Sequence, residues 1–469
     1  MTKGLLIQKI EENLAYQPTK DQSEVLGLLA DFLLLNDETS LFILKGYAGT
    51  GKSSLIGGVV QTIRQLGQKV VLLAPTGRAA RVFSAYANLE AYTIHRKIYR
   101  QKTYTSENFE FTTNNNPHKD TLFIVDEASL INNNPSEYGG GHQLLNDLIE
   151  YVYAAENCRL ILMGDTAQLP PIGQTVSPAL DQSSMSCYGL SVYEATLTQV
   201  VRQAEESGIL WNATLLRNYM AEDNVYDLPK MDLSGFKDIK AVNGEDFIEL
   251  LNDSYNSVGA EDTLIITRSN KRAKMYNQGI RARVLYAEDE LCSGDLLLIS
   301  KNNYHIHEEY SEIDFLANGE TVEVLRVRRS QELYGFRFAD VTLRLMERDM
   351  TVDAKLITDS LHSDTAALSA DQQNLLFTNV AEDYIDSFPQ NVVLRKIKTN
   401  EFYNALQVKF AYCMTCHKAQ GGQWKHIYID LANLNPEYLG LDFYRWLYTA
   451  MTRATEKVYL VNMPDEMKG

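Results

Sequence analysis

Short apolar runs, each followed by a stretch of helical period, recur through the first third of the chain. Leu41–Leu44, Lys69–Ala74, Thr121–Asp126 and Arg159–Met163 carry apolar side chains at successive positions. That is the pattern of strands buried on both faces of a parallel sheet. Lys52–Leu66, Arg78–Asn88 and Gln143–Ala155 predict intervening helices, and the alternation predicts a doubly wound α/β layer. Between Ile98 and Asp120 the texture changes to KTYTSENFEFTTNNN, which reads as a short aromatic hairpin with polar ends. The polar segment NNNPSEYGGG at 132–141 reads as a surface loop.

The α/β rhythm resumes after residue 203, with a strand expected at Asp262–Thr267 and a basic helix at Ser269–Val284. From about 286 to 404 the texture becomes that of short strands: Gly294–Ser300, Glu320–Arg329 and Phe336–Leu345, then a polar helical stretch at Ser369–Asp386. This predicts a small β-barrel insertion. The α/β pattern is expected to return from Leu406, with strands at Val408–Tyr412, His426–Asp430 and Lys457–Val461. A second nucleotide-fold domain, interrupted by a barrel and lacking a phosphate loop of its own, is the simplest account.

Composition changes the picture in two places. At 469 residues the chain can bury full-sized cores without disulfides or metals. Its five cysteines form no disulfide framework, and the N-terminal MTKGLLIQKIEENL lacks the contiguous apolar core of a signal peptide. A cytoplasmic location with no membrane segment is the expectation. The charge balance runs against nucleic-acid binding, since 61 acidic residues outnumber 44 basic ones, a net of −17. An acidic chain can still hold a strand if cations and aromatics line one channel.

The strongest chemical signal is GYAGTGKSS, Gly46–Ser54, which fits G-x-x-x-x-G-K-[ST] between a strand and a helix. Gly46, Gly49 and Gly51 let the backbone curl so that N–H groups, that of Thr50 among them, point at phosphate oxygens. Lys52 would set a charge at the β/γ phosphates of ATP, with Ser53 and Ser54 opening the helix behind it. The Ser53 hydroxyl would ligate Mg²⁺. FIVDEAS, Phe123–Ser129, supplies the complement: Asp126 to hold Mg²⁺ and Glu127 to polarise the attacking water. CMTCHKAQGGQW contains C-x-x-C-H, a haem-attachment spacing that also suggests zinc, but export signals and a fourth ligand are missing.

Many ATPases share a phosphate loop and an acidic strand end. The other motifs of this chain, taken in order, resemble the full series of superfamily 1 helicases, most of all the RecD-like and phage Dda-like group, with PIF-family enzymes as relatives. The resemblance runs from about Thr19 to Val461. TKDQ resembles the adenine-reading motif, which implies Gln22. APTGRAA and TIHR resemble strand-contacting motifs and imply Pro75, Thr76, Thr93 and His95 as DNA contacts. LILMGDTAQLPPIG implies Gln168 as γ-phosphate sensor, with Asp165 and Pro170 shaping its loop. TQVVRQ and LYTAMTRAT imply Arg202 and Arg453 as two arginines meeting the γ-phosphate. ITRSNKR implies Thr267 and Asn270 near DNA phosphates. The segment around Cys413 reads better on this resemblance than as a metal site: Thr415, His417, Lys418 and Gln420 would couple DNA to the ATP cleft. GDLLLISKN with LANGETVEVL resembles the SH3-like insertion of RecD-like enzymes, with Asn318 and Gly319 in its turn.

The implied fold is α/β, with two RecA-like P-loop motor domains. The first spans 1–97 and 119–202, interrupted by a hairpin at 98–118 whose Tyr104, Phe109 and Phe111 would form a pin that splits duplex. The second spans 203–285 and 405–469, interrupted by an SH3-like β-barrel at 286–404. The implied activity is ATP-dependent 5′→3′ translocation on single-stranded DNA with unwinding of duplex junctions, in repair or recombination, a monomer sufficing. Two other readings compete: a DNA-stimulated ATPase subunit of a repair complex, and a P-loop small-molecule kinase. No nuclease cluster is recognisable.

Overall fold

The computed structural model describes residues 1–469 except 36, 102–110, 135–141, 202–205, 304, 307–309, 311–312, 314, 347, 349, 366, 433 and 435–438. At 100, 101 and 111 only the backbone is described.

In the first lobe the strands are β1 (Ser40–Gly46), β2 (Lys69–Ala74), β3 (Ala91–Thr93), β4 (Tyr99–Gln101), β5 (Phe111–Thr113), β6 (Thr121–Val125), β7 (Arg159–Gly164) and β8 (Ser191–Leu197). Six of them form one parallel sheet in the order β3-β2-β6-β7-β1-β8. Its central strands explain the continuous apolar runs. Along β1, Phe42 and Leu44 enter one core with the helices Lys20–Leu34 and Lys52–Gln65, while Leu41 and Ile43 enter another with Leu144–Tyr153. Successive side chains of a strand point to opposite faces, so both parities must be apolar where both faces are covered. The expected helices stand at Lys52–Gln65, Gly77–Ala87 and Leu144–Tyr153. The strands β4 and β5 pair antiparallel as the base of the hairpin. The pin residues Tyr104 and Phe109 lie outside the described residues, as does the side chain of Phe111.

The second lobe contributes β9 (Ile239–Val242) and β10 (Thr263–Thr267), and the barrel β11 (Leu296–Ile299), β12 (Thr321–Leu333), β13 (Phe336–Leu345), β14 (Met350–Ile357) and β15 (Leu406–Phe410). The lobe resumes with β16 (Cys413–Thr415), β17 (Trp424–Asp430) and β18 (Ala454–Val461), and its parallel sheet runs β16-β10-β17-β18-β9. The barrel closes in the order β11-β12-β13-β14-β15.

Here one boundary differs from expectation. The pattern at Leu406–Phe410 predicts a restart of the α/β layer at 405, but this strand pairs with β11 and β14 and closes the barrel. The layer resumes only at Cys413. Nothing in an apolar five-residue run says which sheet it joins, because pairing partners are chosen by tertiary context. Two further elements go unread in the sequence: β14, and the amphipathic helix Gln390–Lys398 that packs with Ala370–Ile385 over one end of the barrel. The second lobe and the barrel share one continuous hydrophobic core. Among the described residues no helix is long and apolar enough to cross a membrane.

Candidate nucleotide cleft and nucleic-acid interface

The loop between β1 and the helix Lys52–Gln65 turns through Gly49 and Gly51, whose φ angles of 75° and 76° lie in the left-handed region that glycine enters without cost. The helix opens at Gly51 with no side-chain cap. Its first N–H groups therefore face outward without a partner from a capping side chain, the arrangement that binds an anion. Lys52 Nζ reaches back to donate to Gly46 O at 2.6 Å, across the mouth of the same loop.

Acidic groups face this loop from the ends of the neighbouring strands. Asp126 follows β6 and is buried, its Oδ1 accepting from Glu127 N at 2.7 Å. Burial, and then the charge of Glu127, raise the Asp126 carboxyl to about 7, with Lys52 and Arg453 pulling the other way. Asp165 follows β7, is also buried, and is likewise raised by burial. Gln168 is buried on the same loop, and its Oε1 has no hydrogen-bond partner among the described residues. A buried orphan acceptor beside an uncapped helix start and buried acids fits a polar ligand carrying phosphate and a divalent cation.

The second lobe closes this cleft with one helix and the turn after it. Tyr448, on the helix Leu441–Met451, accepts from the phosphate-loop amide Ala48 N at 2.9 Å and donates to Asp165 Oδ2 at 2.6 Å. Thr449 Oγ1 accepts from Leu169 N at 2.9 Å, and Gln420 Nε2 donates to Leu169 O at 2.8 Å. Arg453, nearly fully buried, lies 3.4 Å from Glu127 Oε1 and also donates to Gly422 O and Thr449 O. Ala167 and Leu169 pack into the core of the second lobe, so the loop from Asp165 to Gly173 belongs physically to both. Lower down, the Arg78 guanidinium stacks 3.8 Å over the Trp424 ring. Gly421 (φ 74°) comes so close to Thr76 that a Cβ there would stand 2.8 Å from its Oγ1.

Lys52, Asp126, Glu127, Gln168 and Arg453 thus share one cleft, with Ser53 at the helix start. Arg202 lies outside the described residues. Gln22 is beside the phosphate loop, but its amide is engaged: Oε1 accepts from Thr19 N and Nε2 donates to Thr50 O at 2.9 Å. The expected nucleic-acid residues divide. Thr76 and Thr93 cap the helices Gly77–Ala87 and Ile94–Ile98, Thr76 beside Pro75. Burial lowers His95 to about 4, so its imidazole is neutral at pH 7. Asn270, Thr415 and Lys418 line one pocket of the second lobe, and His417 is exposed next to it. Thr267 departs from expectation: it is fully buried, and its hydroxyl donates to Ser269 O. The last residue of a central strand is covered on both sides, which no short motif reveals.

Cys413 and Cys416 are buried free thiols directed at Thr267 and at the Trp446 carbonyl. Tyr448 is a site residue that the motif reading misses, although it lies in the segment that also carries Arg453. The available signal is position, since Tyr448 and Thr449 lie in the last turn of the helix Leu441–Met451, just ahead of Arg453.

Fold and cleft together define a two-lobed nucleotide-binding protein whose site is completed only when the lobes meet. A family model described as an AAA domain matches residues 30–231, and one described as a UvrD-like helicase C-terminal domain matches 410–461. The ATP-dependent RecD2 DNA helicase of Deinococcus radiodurans is 25% identical over 452 residues, covering 94% of this chain and 48% of that protein. The chain therefore spans about half the length of that relative. The ATP-dependent DNA helicase dda of Enterobacteria phage T4 is 23% identical over 442 residues, covering 89% of this chain and 93% of the phage protein. A solved Pif1 helicase from Bacteroides, in complex with ADP-AlF3 and ssDNA, aligns with 97% of this chain and 95% of its own at 16% identity and a TM-score of 0.47. Along most of its length the chain is thus similar to ATP-dependent DNA helicases of the RecD2 and Dda kind.

Proposed function

We propose that this chain is an ATP-driven motor that translocates 5′→3′ along single-stranded DNA and unwinds duplex. The observation that carries the reading is the joint cleft, in which Glu127 and the phosphate-loop amide of Ala48 on one lobe meet Arg453 and Tyr448 of the other. ATP bound there would have its terminal phosphates against Lys52 and the N–H groups of Gly49–Ser54. Ser53 and Asp126 are the groups that would hold Mg²⁺, which neutralises phosphate charge. Glu127 orients and deprotonates the attacking water, Gln168 contacts the terminal phosphate, and Arg453 stabilises developing charge in the company of Arg202. Because Arg453 and Tyr448 arrive from the second lobe, occupancy favours closure and loss of the terminal phosphate favours opening.

Each lobe grips DNA backbone in turn, through Pro75, Thr76, Thr93 and His95 on the first and Asn270, Thr415, His417 and Lys418 on the second. These are mostly neutral donors suited to phosphate without reading base edges. The strand advances by about one nucleotide per cycle, as the family resemblance implies. The barrel is of SH3 type, and the hairpin carrying Tyr104, Phe109 and Phe111 acts as the pin. Base–aromatic stacking of ~1–3 kcal/mol matches the opening of one base pair. Direction comes from the family resemblance alone.

ATPase turnover should rise strongly with oligo-dT and vanish in Lys52→Ala. Turnover indifferent to DNA would favour the kinase reading. Duplexes with single tails should open from a 5′ tail only, and opening from a 3′ tail would overturn the polarity. DNA-stimulated turnover without strand separation would leave the ATPase-subunit reading in its place.

A further inference from the structure

The chain crosses from the first lobe to the second just after β8, the edge strand of the first sheet. The N–H groups of Thr198 and Gln199 lie beyond the ladder that β8 makes with β1, and Asp21 meets them. Its Oδ2 accepts from Thr198 N at 2.9 Å, from Thr198 Oγ1 at 2.7 Å and from Gln199 N at 2.9 Å. Consecutive N–H groups turned toward one carboxylate oxygen make a charge-assisted anchor. The Thr198 hydroxyl first, and then the Thr198 amide, hold the Asp21 carboxyl below the usual carboxylate range.

Two further contacts fix the same segment. Val201 N donates to Gly49 O in the phosphate loop at 3.0 Å, and the Thr198 carbonyl accepts from Arg217 at 3.3 Å. Arg217 comes from the helix Gly208–Ala221 of the second lobe, and its guanidinium lies 4.4 Å over the ring of Tyr47 in the phosphate loop. Asp21 thus holds, from the first lobe, a segment that the second lobe also touches. Its neighbour Gln22 grips the phosphate loop itself, donating to Thr50 O. The start of the helix Lys20–Leu34 therefore brackets the loop on one side and the crossing segment on the other. Thr198 is exposed and Asp21 half-buried. Surface contacts of this kind contribute little to stability, so what the anchor fixes is geometry.

We propose that Asp21 is a positioning residue for ATP hydrolysis, pinning Thr198 and Gln199 to the first lobe so that Arg202, close behind them, approaches the terminal phosphate from a fixed point. Asp21 touches no substrate and acts through Arg202. The anchor rests on the motor reading, which supplies the role of that arginine. A shift of about 1 Å in a group that meets the reacting phosphate can cost ~10²-fold in rate.

The test is steady-state ATPase of the full chain with saturating oligo-dT, alongside binding of a fluorescent ADP analogue and melting. Asp21→Ala should lower kcat by ~10- to ~100-fold, with ADP-analogue affinity within twofold and the melting temperature within about 2 °C. Asp21→Asn offers an acceptor oxygen in the same place and should recover most of the rate. In an Arg202→Ala background, itself slow, Asp21→Ala should change kcat by less than twofold, because its effect passes through the missing guanidinium. An equal further loss in that background would show that Asp21 acts independently of Arg202 and would overturn the proposal. So would an asparagine variant as slow as the alanine one, or a wild-type rate in Asp21→Ala. Arg202→Ala with unchanged kcat, or wild-type turnover indifferent to oligo-dT, would remove the motor reading first and the anchor with it.

Discussion

Removing one oxygen atom from the lobe interface, by Tyr448→Phe, should separate closure from nucleotide binding. The Tyr448 hydroxyl accepts from Ala48 N in the phosphate loop and donates to the Asp165 carboxylate, both across the cleft. Burial beside Asp165 holds the phenol well above its ordinary pKa, so it remains a neutral donor. The bond to the carboxylate contributes about 1.5–3 kcal/mol and the bond from the amide about 0.5–1.5 kcal/mol. In the open state water replaces both partners, so the loss falls on the closed state alone. A deficit of about 2–4.5 kcal/mol in closure lowers DNA-stimulated kcat by ~30- to ~2,000-fold. Because the phenyl ring keeps its packing, the melting temperature should move little. Affinity for a fluorescent ADP analogue should stay within a few-fold, since the opened phosphate loop is intact. The assay is steady-state ATPase across an oligo-dT titration, alongside nucleotide binding and melting. A kcat within twofold of wild type would refute the coupling, and so would loss of nucleotide affinity in proportion to kcat.

Three other outcomes are expected from the same machinery. Asp126→Asn should abolish Mg²⁺-dependent hydrolysis yet raise the melting temperature of the nucleotide-free chain by about 2–4 °C at pH 8. The folded pKa of Asp126 is raised to about 7, so the wild-type carboxylate costs stability when ionised; the gain should therefore shrink as pH falls from 8 to 5, and a gain that grew instead would contradict the sign. Arg453→Lys should lower kcat by at least ~10²-fold with ATP affinity within a few-fold, because a lysine cannot reproduce the guanidinium's fork. Equal loss of binding and turnover would point to a structural role. Removing Phe109 or Phe111 should reduce unwinding of tailed duplex more than DNA-stimulated ATPase, and equal losses would rule out a pin.

Much of this molecule is legible from one sequence. Strands buried on both faces must be apolar at every position, so Leu41–Leu44 and Arg159–Met163 announce the sheet interior, and GYAGTGKSS announces the left-handed turn and uncapped helix start. Such features depend on residues close together in the chain, where backbone conformation and side-chain period are set locally. The tertiary structure decides what lies between distant segments. It assigns Leu406–Phe410 to the barrel, because a strand's partners are chosen by the surfaces available to it. It buries Thr267 and engages both ends of the Gln22 amide, since burial is a property of everything packed around a residue. It brings Tyr448 to Ala48, 400 positions away, and Asp21 to Thr198. No local pattern encodes such contacts, because only the closed arrangement of lobes and barrel creates them.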